Sequence, residues 1–129
     1  MKTFLPLIFL LTINVFAADV HCFKEICIND FVRDSYGWGG EVARIEESGT
    51  LHVALFHEPG FLAKFEYAEV GKAVKCHKSF CIGNIVIDPY GNSATIQEIY
   101  TNDIVILIYP DDFDDDQIYV YKLEQIQMP

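Results

Sequence analysis

The sequence predicts an all-β protein of two tandem small β-barrels behind a cleaved signal peptide. Three observations carry this prediction: an internal repeat with a period of 54 residues, short apolar segments separated by turn signals, and an apolar N-terminal leader. A fixed internal period indicates that one structural unit has been duplicated. Four or five short strands in a unit of about 55 residues are typical of a small, strongly bent barrel.

Residues 1–17 have the pattern of a secretory signal peptide. A basic residue, Lys2, precedes an apolar run from Phe4 to Phe16, and small residues follow, which is the order of segments in such leaders. Cleavage after Ala17 places Val15 and Ala17 at the two positions that favour small residues. The run is too short to cross a bilayer, which needs about 20 residues. A buried N-terminal strand or a membrane anchor is the alternative.

The repeat divides the rest of the chain into units 18–74 and 75–129. Eight of sixteen positions are identical when the stretch that begins at Cys22 is aligned with the one that begins at Cys76. No Pro- or Ser-rich linker separates the units, so we expect them to pack together or to hold a restricted angle. The identical pairs are Cys22/Cys76, Lys24/Lys78, Cys27/Cys81, Ile28/Ile82, Val32/Val86, Asp34/Asp88, Tyr36/Tyr90 and Gly37/Gly91.

The four cysteines of an exported chain normally form two disulfides. Three pairings are possible, and the duplication favours Cys22–Cys27 and Cys76–Cys81, because each unit then carries its own complete pair. The chain must loop back between the partners, since an extended gap of this length separates Cα atoms by about 16 Å and a disulfide needs roughly 7 Å or less. A four-cysteine zinc site is the alternative, although export favours oxidation.

Strand signals recur in the same order in both units. Leu51, Val53 and Leu55 alternate with intervening residues such as His52, as a half-buried strand requires. Asp-x-Tyr-Gly sequences and other turn residues separate the segments, and no window predicts a helix of three turns. The predicted strands are 31–33, 41–45, 50–56 and 62–67 in the first unit and 85–87, 95–99, 104–109 and 117–122 in the second.

The stretch from Asp30 to Ile45 combines a valine strand, a Gly-rich loop and an x-Val-x-x-Ile strand. In this it resembles the SH3-like barrels, in the broad sense that includes Tudor, KOW and bacterial SH3 modules. The stretch from Asn84 to Ile99 repeats the pattern, with Asn-Ser-Ala in place of Trp-Gly-Gly after the turn. The Cys-x4-Cys segment that opens each unit departs from the general KOW and Tudor pattern. It is similar to a feature of exported bacterial repeat proteins. The resemblance implies two SH3-like barrels.

Aromatic residues in and beside the loops are the candidate binding residues. Ligands of SH3-like barrels meet aromatics of the first long loop and neighbouring strand ends, so the resemblance implies Tyr36 and Trp38, with Tyr90 as the counterpart in the second unit. Phe56 and Tyr67 lie beside loops of the first unit. A flat ring beside acidic groups suits a cation, a sugar face or a peptide. The alternative is that these rings only cap the barrel cores.

The composition is strongly acidic, with 19 Asp and Glu against 9 Lys and Arg and a net charge of −10. Loss of Lys2 with the leader leaves 8 basic residues and a net charge of −11. Nucleic acid and anionic membrane surfaces carry dense negative charge, so this composition disfavours both as partners. A cationic partner fits the charge better, although high net charge also serves solubility alone.

The run Asp111–Asp116 holds five carboxylates in six residues. Calcium takes six to eight oxygen ligands, so a structural or calcium-responsive envelope protein is the alternative to a binding module. The spacing lacks the Asp-x-Asp-x-Asp-Gly plan and its distal Glu. Because a run of like charges is usually a solvated loop, we predict no metal site.

Catalytic signatures are missing from the sequence. Disulfides would consume the thiols that a Cys–His pair needs, no serine lies in a Gly-x-Ser-x-Gly elbow, and no phosphate loop or dinucleotide fingerprint is present. A small hydrolase with paired carboxylates leaves no spacing signature and stays open. We therefore predict a non-catalytic binding module without a cofactor, periplasmic or secreted, whose ligand is a protein or a cell-wall peptide or glycan.

Overall fold

The computed structural model describes residues 18–111 and 117–129. In these ranges the chain is predominantly β, with fourteen strands and two 3-10 turns, which confirms the predicted all-β class. The predicted signal peptide, residues 1–17, lies outside them. No helix within the two ranges combines the length and apolar composition that a membrane crossing requires.

Eight strands belong to the first half of the chain and six to the second. The first eight are β1 (Asp19–Val20), β2 (Cys22–Phe23), β3 (Ile26–Cys27), β4 (Phe31–Asp34), β5 (Gly39–Glu46), β6 (Thr50–Leu55), β7 (Leu62–Glu66) and β8 (Val70–Val74). The others are β9 (Cys76–His77), β10 (Phe80–Cys81), β11 (Ile85–Ile87), β12 (Ser93–Tyr100), β13 (Ile104–Ile108) and β14 (Tyr119–Lys122). The 3-10 turns are η1 (Tyr67–Glu69) and η2 (Leu123–Gln125). All eight predicted strands are present, with ends that differ by no more than two residues.

Ten of the strands form one curled, half-barrel sheet. Its order is β14-β13-β12-β8-β4-β5-β6-β7, with β1 added on β5 and β11 on β12, and every pairing is antiparallel. Strand β8 joins the halves, because it pairs with β4 on one side and with β12 on the other. Strand β8 is not among the strands predicted from the sequence, and its residues show no clear alternation of apolar and polar side chains.

Positions 54 residues apart repeat the same irregularity in the sheet. The register between β5 and β6 shifts between Val42 and Arg44, and the register between β12 and β13 shifts between Ile96 and Glu98. A β-bulge bends its strand and increases the local twist. Each half of the sheet therefore curls at the same point of its longest strand.

Each half buries its own hydrophobic cluster. The first contains Ile26, Val32, Val42, Ile45, Leu51, Val53 and Val70. The second contains Val86, Ala94, Ile96, Ile99, Val105, Leu107, Leu123 and Ile126. A third cluster of Tyr100, Ile104 and Ile106 occupies the opposite face of β12 and β13. Strand β13 is thus covered on both faces, since consecutive strand residues point to opposite sides.

Two short hairpins carry the disulfides, and both predicted pairings are confirmed. Cys22 is bonded to Cys27 and Cys76 to Cys81, with Cα atoms 3.9 and 4.0 Å apart. Lys24 and its counterpart Lys78 have φ angles of 53° and 50°, and this left-handed backbone turns the chain back within the loop. No free cysteine remains, so the zinc alternative is excluded. Two disulfides are typical of an oxidising, extracellular environment.

His52 is buried although it lies on the face of β6 for which the alternation predicts polar, exposed residues. Its neighbours Leu51 and Val53 point to the other face, into the first core cluster. Its Nε2 lies 2.7 Å from Oε2 of Glu46, and a buried polar group with a partner costs far less than one without. The carboxylate partner explains why the imidazole can be covered on this face.

Candidate ligand-binding groove

A groove with a volume of about 840 Å³ lies where the two halves of the chain meet. We call it the junction groove. Ligand sites typically have volumes of about 300–1,000 Å³, so this groove is large enough for one. Its walls come from β4 and the turn after it, from the loop after β6, and from β14, and they are formed by Arg33, Tyr36, Gly37, Trp38, Phe56, His57, Pro59, Ile118 and Val120.

The turn after β4 holds two of the predicted aromatic residues at the groove. Oδ1 of Asp34 accepts the backbone N–H groups of Tyr36 and Trp38, both at 2.9 Å. Asp side chains often stabilise turns in this way. These hydrogen bonds hold the backbone of the turn. The side chains of both residues are exposed, by 80% for Tyr36 and 50% for Trp38.

Gly37 allows the turn to approach the second half of the chain. Its φ is +87°, and a Cβ atom at this position would lie 2.6 Å from Cγ2 of Val120 on β14. Glycine is the residue that adopts such a φ without strain. The absence of a side chain here lets the turn close against β14 and narrow the groove at its base.

Ring contacts fix the aromatic wall of the groove. The rings of Trp38 and His57 have centroids 4.9 Å apart. Phe56 packs edge-to-face on Phe31 with centroids 5.4 Å apart, a geometry that aromatic pairs favour. The wall is therefore built from rings that support one another while part of each stays open to solvent.

Arg33 forms the floor of the junction groove and is almost fully buried, with 3% of its surface exposed. Its Nε donates to Oε1 of Glu98 at 3.0 Å and to the hydroxyl of Tyr100 at 3.1 Å, and Nη1 donates to the carbonyl of Gly37 at 2.6 Å. The guanidinium carbon lies 4.7 Å from the centroid of the Phe56 ring. One side chain thus ties together the turn, the aromatic wall and β12 of the second half.

Burial makes Tyr100 a neutral partner in this network. Desolvation raises the pKa of its phenol well above the ordinary value of 10.0, and the hydrogen bond to Glu98 raises it further. The hydroxyl therefore stays protonated at any physiological pH. Among the described residues, Glu98 is therefore the charged partner of Arg33, and Tyr100 contributes a neutral hydroxyl.

Tyr67 lies away from the groove. Its hydroxyl donates to both carboxylate oxygens of Glu25 at 2.8 Å, and its ring packs against Phe23 with centroids 5.3 Å apart. The hydrogen bond to Glu25 raises the pKa of Tyr67. The ring covers the edge of the first core cluster, as the core-capping alternative predicts for it.

Tyr90 is as exposed as Tyr36, at 80%, but it lines neither this groove nor the smaller cavity described below. Its turn is held by Asp88, whose Oδ1 accepts the N–H groups of Tyr90 and Asn92 at 2.9 and 2.8 Å. The hydroxyl of Tyr109 donates to Oδ2 of Asp88 at 2.5 Å. The structure therefore brings Tyr36 together with Trp38 and Phe56 at the junction groove, and places Tyr90 outside both cavities.

A smaller cavity of about 240 Å³ lies on the other side of Phe56. We call it the apolar groove. Most of its lining is hydrocarbon, and Glu98 is the lining residue that carries a charge. Its walls are formed by Phe31, Phe56, Ala73, Val74, Ile82, Glu98, Ile99 and Tyr100.

Arg33 and Glu98 are not among the site residues predicted from the sequence. The repeat held one signal for the first: Arg33 aligns with Ile87, 54 residues later, so a charged residue stands in a strand where its counterpart is apolar. Glu98 aligns in the same way with Arg44. Neither difference reveals the partner, because the two residues meet only in the folded chain.

The acidic run on which the calcium-responsive alternative depends falls largely outside the described residues. Of Asp111–Asp116, only Asp111 lies within them, and it is exposed. Within residues 18–111 and 117–129, no three His, Cys, Asp or Glu side chains are grouped so that they could hold a metal ion.

Comparisons with known proteins identify no relative. No protein-family model, no curated protein and no solved structure matches the chain. The resemblance to SH3-like barrels thus remains a prediction from the sequence pattern, and the candidate site rests on its geometry alone.

Proposed function

We propose that this protein is an exported, non-catalytic binding module, built from two SH3-like barrels, that binds an envelope or extracellular ligand in the junction groove. The observation that carries the proposal is the convergence of Tyr36, Trp38 and Phe56 on one groove of about 840 Å³. The ligand is a protein or a cell-wall peptide or glycan. All three are polymers that offer flat or apolar groups to aromatic rings.

Two features support the barrel architecture. Each half has its own buried cluster and its own disulfide hairpin. In each half the final segment also pairs with an early strand of that half. Val32 on β4 pairs with Lys72 on β8, and Ile87 on β11 forms a bridge with Gln127. Such a return is what closes a small curled sheet towards a barrel.

The chemistry of the groove favours binding over catalysis. Arg33 is held in an ion pair with Glu98 and in a hydrogen bond to Gly37, so its charge is already used within the protein. Tyr36 and Trp38 present open ring faces. Rings of this kind supply contact area and orientation, which is what a binding site needs.

Retention of a ligand from cell-envelope material tests the proposal. We would immobilise the parent protein beside a Trp38→Ala variant and an Ile85→Ala control, whose side chain is 58% exposed and lines neither groove. We expect the Trp38→Ala variant to lose a component that the parent and the control retain. Equal retention by all three proteins, or none by any, would contradict the proposed site.

A further inference from the structure

The apolar groove adjoins the junction groove, since Phe56 lines both. Its volume of about 240 Å³ is below the range of about 300–1,000 Å³ that is typical of a whole ligand site. It is therefore suited to one part of a longer ligand. A chain molecule that occupies the junction groove would reach it by crossing Phe56.

Large hydrophobic side chains stand exposed around this cavity. The exposed fractions are 46% for Phe31, 41% for Phe56 and 49% for Ile82. Single exposed apolar residues are ordinary, but several that converge on one depression mark an interaction surface. Because Phe31 and Phe56 pack edge-to-face, the wall that they form is already in place before a partner binds.

The lining distinguishes between the classes of ligand left open above. Val74, Ile82 and Ile99 offer hydrocarbon, and the carboxylate of Glu98 already accepts hydrogen bonds from Arg33 and Tyr100. A sugar hydroxyl placed here would lose its bonds to water without gaining replacements, which is costly. An aliphatic or aromatic amino acid side chain has no such requirement. The apolar groove thus favours a polypeptide.

The two charged lining residues of the grooves, Arg33 and Glu98, pair with each other, and further carboxylates stand beside the lining. Glu41 is paired directly with Phe31 between β4 and β5, so its side chain is on the same face of the sheet. Glu58, which is exposed, follows the lining residue His57. Two lysines, Lys72 and Lys75, flank the lining residues Ala73 and Val74, and Nζ of Lys72 is already paired with Asp30 at 3.4 Å. With a net charge of −10 for the chain, the field favours a cationic partner.

We propose that the junction groove and the apolar groove together bind one extended segment of a partner protein, which carries net positive charge and inserts an apolar side chain into the apolar groove. This inference rests on the proposed function, because it assigns a class of partner to the same site. The aromatic wall around Trp38 and Phe56 supports the backbone of the segment, and the carboxylates attract its basic residues.

Three synthetic peptides of about nine residues, roughly 30 Å long when extended, test this inference by fluorescence anisotropy. The probe alternates lysine and leucine. One matched peptide replaces each leucine with serine, and the other replaces each lysine with glutamate. We expect the lysine–leucine peptide alone to bind, with an affinity that falls as salt is raised. Equal binding of either matched peptide, or no binding of the probe, would overturn the inference.

Paired isoleucine variants locate the bound side chain. Ile82→Ala removes part of the wall of the apolar groove, and we expect it to weaken binding of the lysine–leucine peptide by about tenfold. Ile85→Ala removes an equally large exposed side chain three positions away, and its affinity should stay within about twofold of the parent. Thermal melting checks that both variants fold. Equal affinities for the two variants would contradict the assignment.

The outcome also separates this inference from the proposed function. If Trp38→Ala loses an envelope component while the lysine–leucine peptide fails to bind, the partner class is wrong and the junction groove remains a binding site. If Trp38→Ala changes nothing and the peptide fails as well, both proposals fall.

Discussion

Arg33 on β4 donates from Nε to Oε1 of Glu98 on β12 at 3.0 Å, across 65 residues of sequence. The same guanidinium holds the carbonyl of Gly37 and lies against the ring of Phe56. One of the contacts between the halves therefore also forms the floor of the junction groove. The shape of the candidate site depends on how the two halves are held together.

We predict that Arg33→Met destabilises the protein by about 2 kcal/mol. Loss of the guanidinium leaves the carbonyl of Gly37 without this donor and the carboxylate of Glu98 without its cationic partner, and breaking a buried pair is costly. We expect a smaller loss than for a fully buried ion pair, because about a third of the Glu98 side chain is exposed, at 31%. Urea unfolding of parent and variant measures the difference.

Arg44→Met is the matched control. Arg44 forms an ion pair with Asp19 at 2.7 Å, but both side chains are about half exposed, at 48% and 47%. Exposed ion pairs contribute little to stability, so this variant should unfold close to the parent. An equal loss of stability in the two variants would show that the contact between Arg33 and Glu98 contributes no more to stability than an exposed ion pair.

The glycines of the two equivalent turns form a second matched pair. Gly37 and Gly91 have φ angles of +87° and +85°, so alanine at either position costs about 1–2 kcal/mol through the backbone alone. A Cβ at position 37 would also lie 2.6 Å from Cγ2 of Val120, whereas at position 91 nothing lies within 4 Å. We expect Gly37→Ala to cost a further ~1–2 kcal/mol.

Chemical denaturation of both glycine variants checks this prediction. A double variant that adds Val120→Ala to Gly37→Ala should recover part of the extra loss, because the overlapping atoms are then absent. If Gly37→Ala and Gly91→Ala unfold at the same denaturant concentration, the close contact between the turn and β14 is not present in solution.

We expect Tyr109→Phe to weaken the protein at neutral pH but not in acid. The hydrogen bond from Tyr109 holds the pKa of Asp88 below its ordinary value of 3.8. A carboxyl group whose folded pKa is lowered contributes stability above its unfolded pKa and loses it as pH falls through the folded value. The gap in stability between parent and variant should therefore be widest above about pH 5 and shrink in acid.

Unfolding curves recorded across this pH range measure the gap. Tyr121→Phe provides the comparison, because its hydroxyl lies 3.5 Å from that of Tyr109 and its removal leaves the bond to Asp88 in place. A gap for Tyr109→Phe that does not change with pH would be contrary to this assignment.

Removal of either disulfide should cost a similar amount. Each bond closes a loop with a sequence separation of 5, for which the loss of chain entropy in the unfolded state is worth about 2 kcal/mol. Cys22→Ser with Cys27→Ser, and Cys76→Ser with Cys81→Ser, test the two bonds one at a time by thermal unfolding. A variant pair as stable as the parent would show that its hairpin is held by packing alone.

Local patterns made much of the fold predictable. The strands were predictable because side chains alternate along a strand, and the hairpins because Asp and Gly mark tight turns. The disulfide pairing followed from the repeat, since each copy needs a complete pair. His52 escaped this reasoning because its burial depends on Glu46, a partner on the neighbouring strand.

The candidate site was predictable only in part. Tyr36, Trp38 and Phe56 could be selected as aromatic residues in or beside loops, but so could Tyr67 and Tyr90. The sequence does not show that the first three meet at a groove, that Tyr67 covers a core, or that Tyr90 lines neither of the two grooves. That distinction depends on which strands become neighbours.

By itself, the sequence determined the acidic charge, predicted the β class and the positions of eight strands along the chain, and favoured the disulfide pairs that form, because each of these depends on neighbouring residues, on the repeat or on composition. Only the tertiary structure decided that β8 joins the halves, that Arg33 meets Glu98, and that the grooves form between them. Contacts between residues so far apart in the chain have no characteristic spacing. They exist only after the curled sheet brings its strands together.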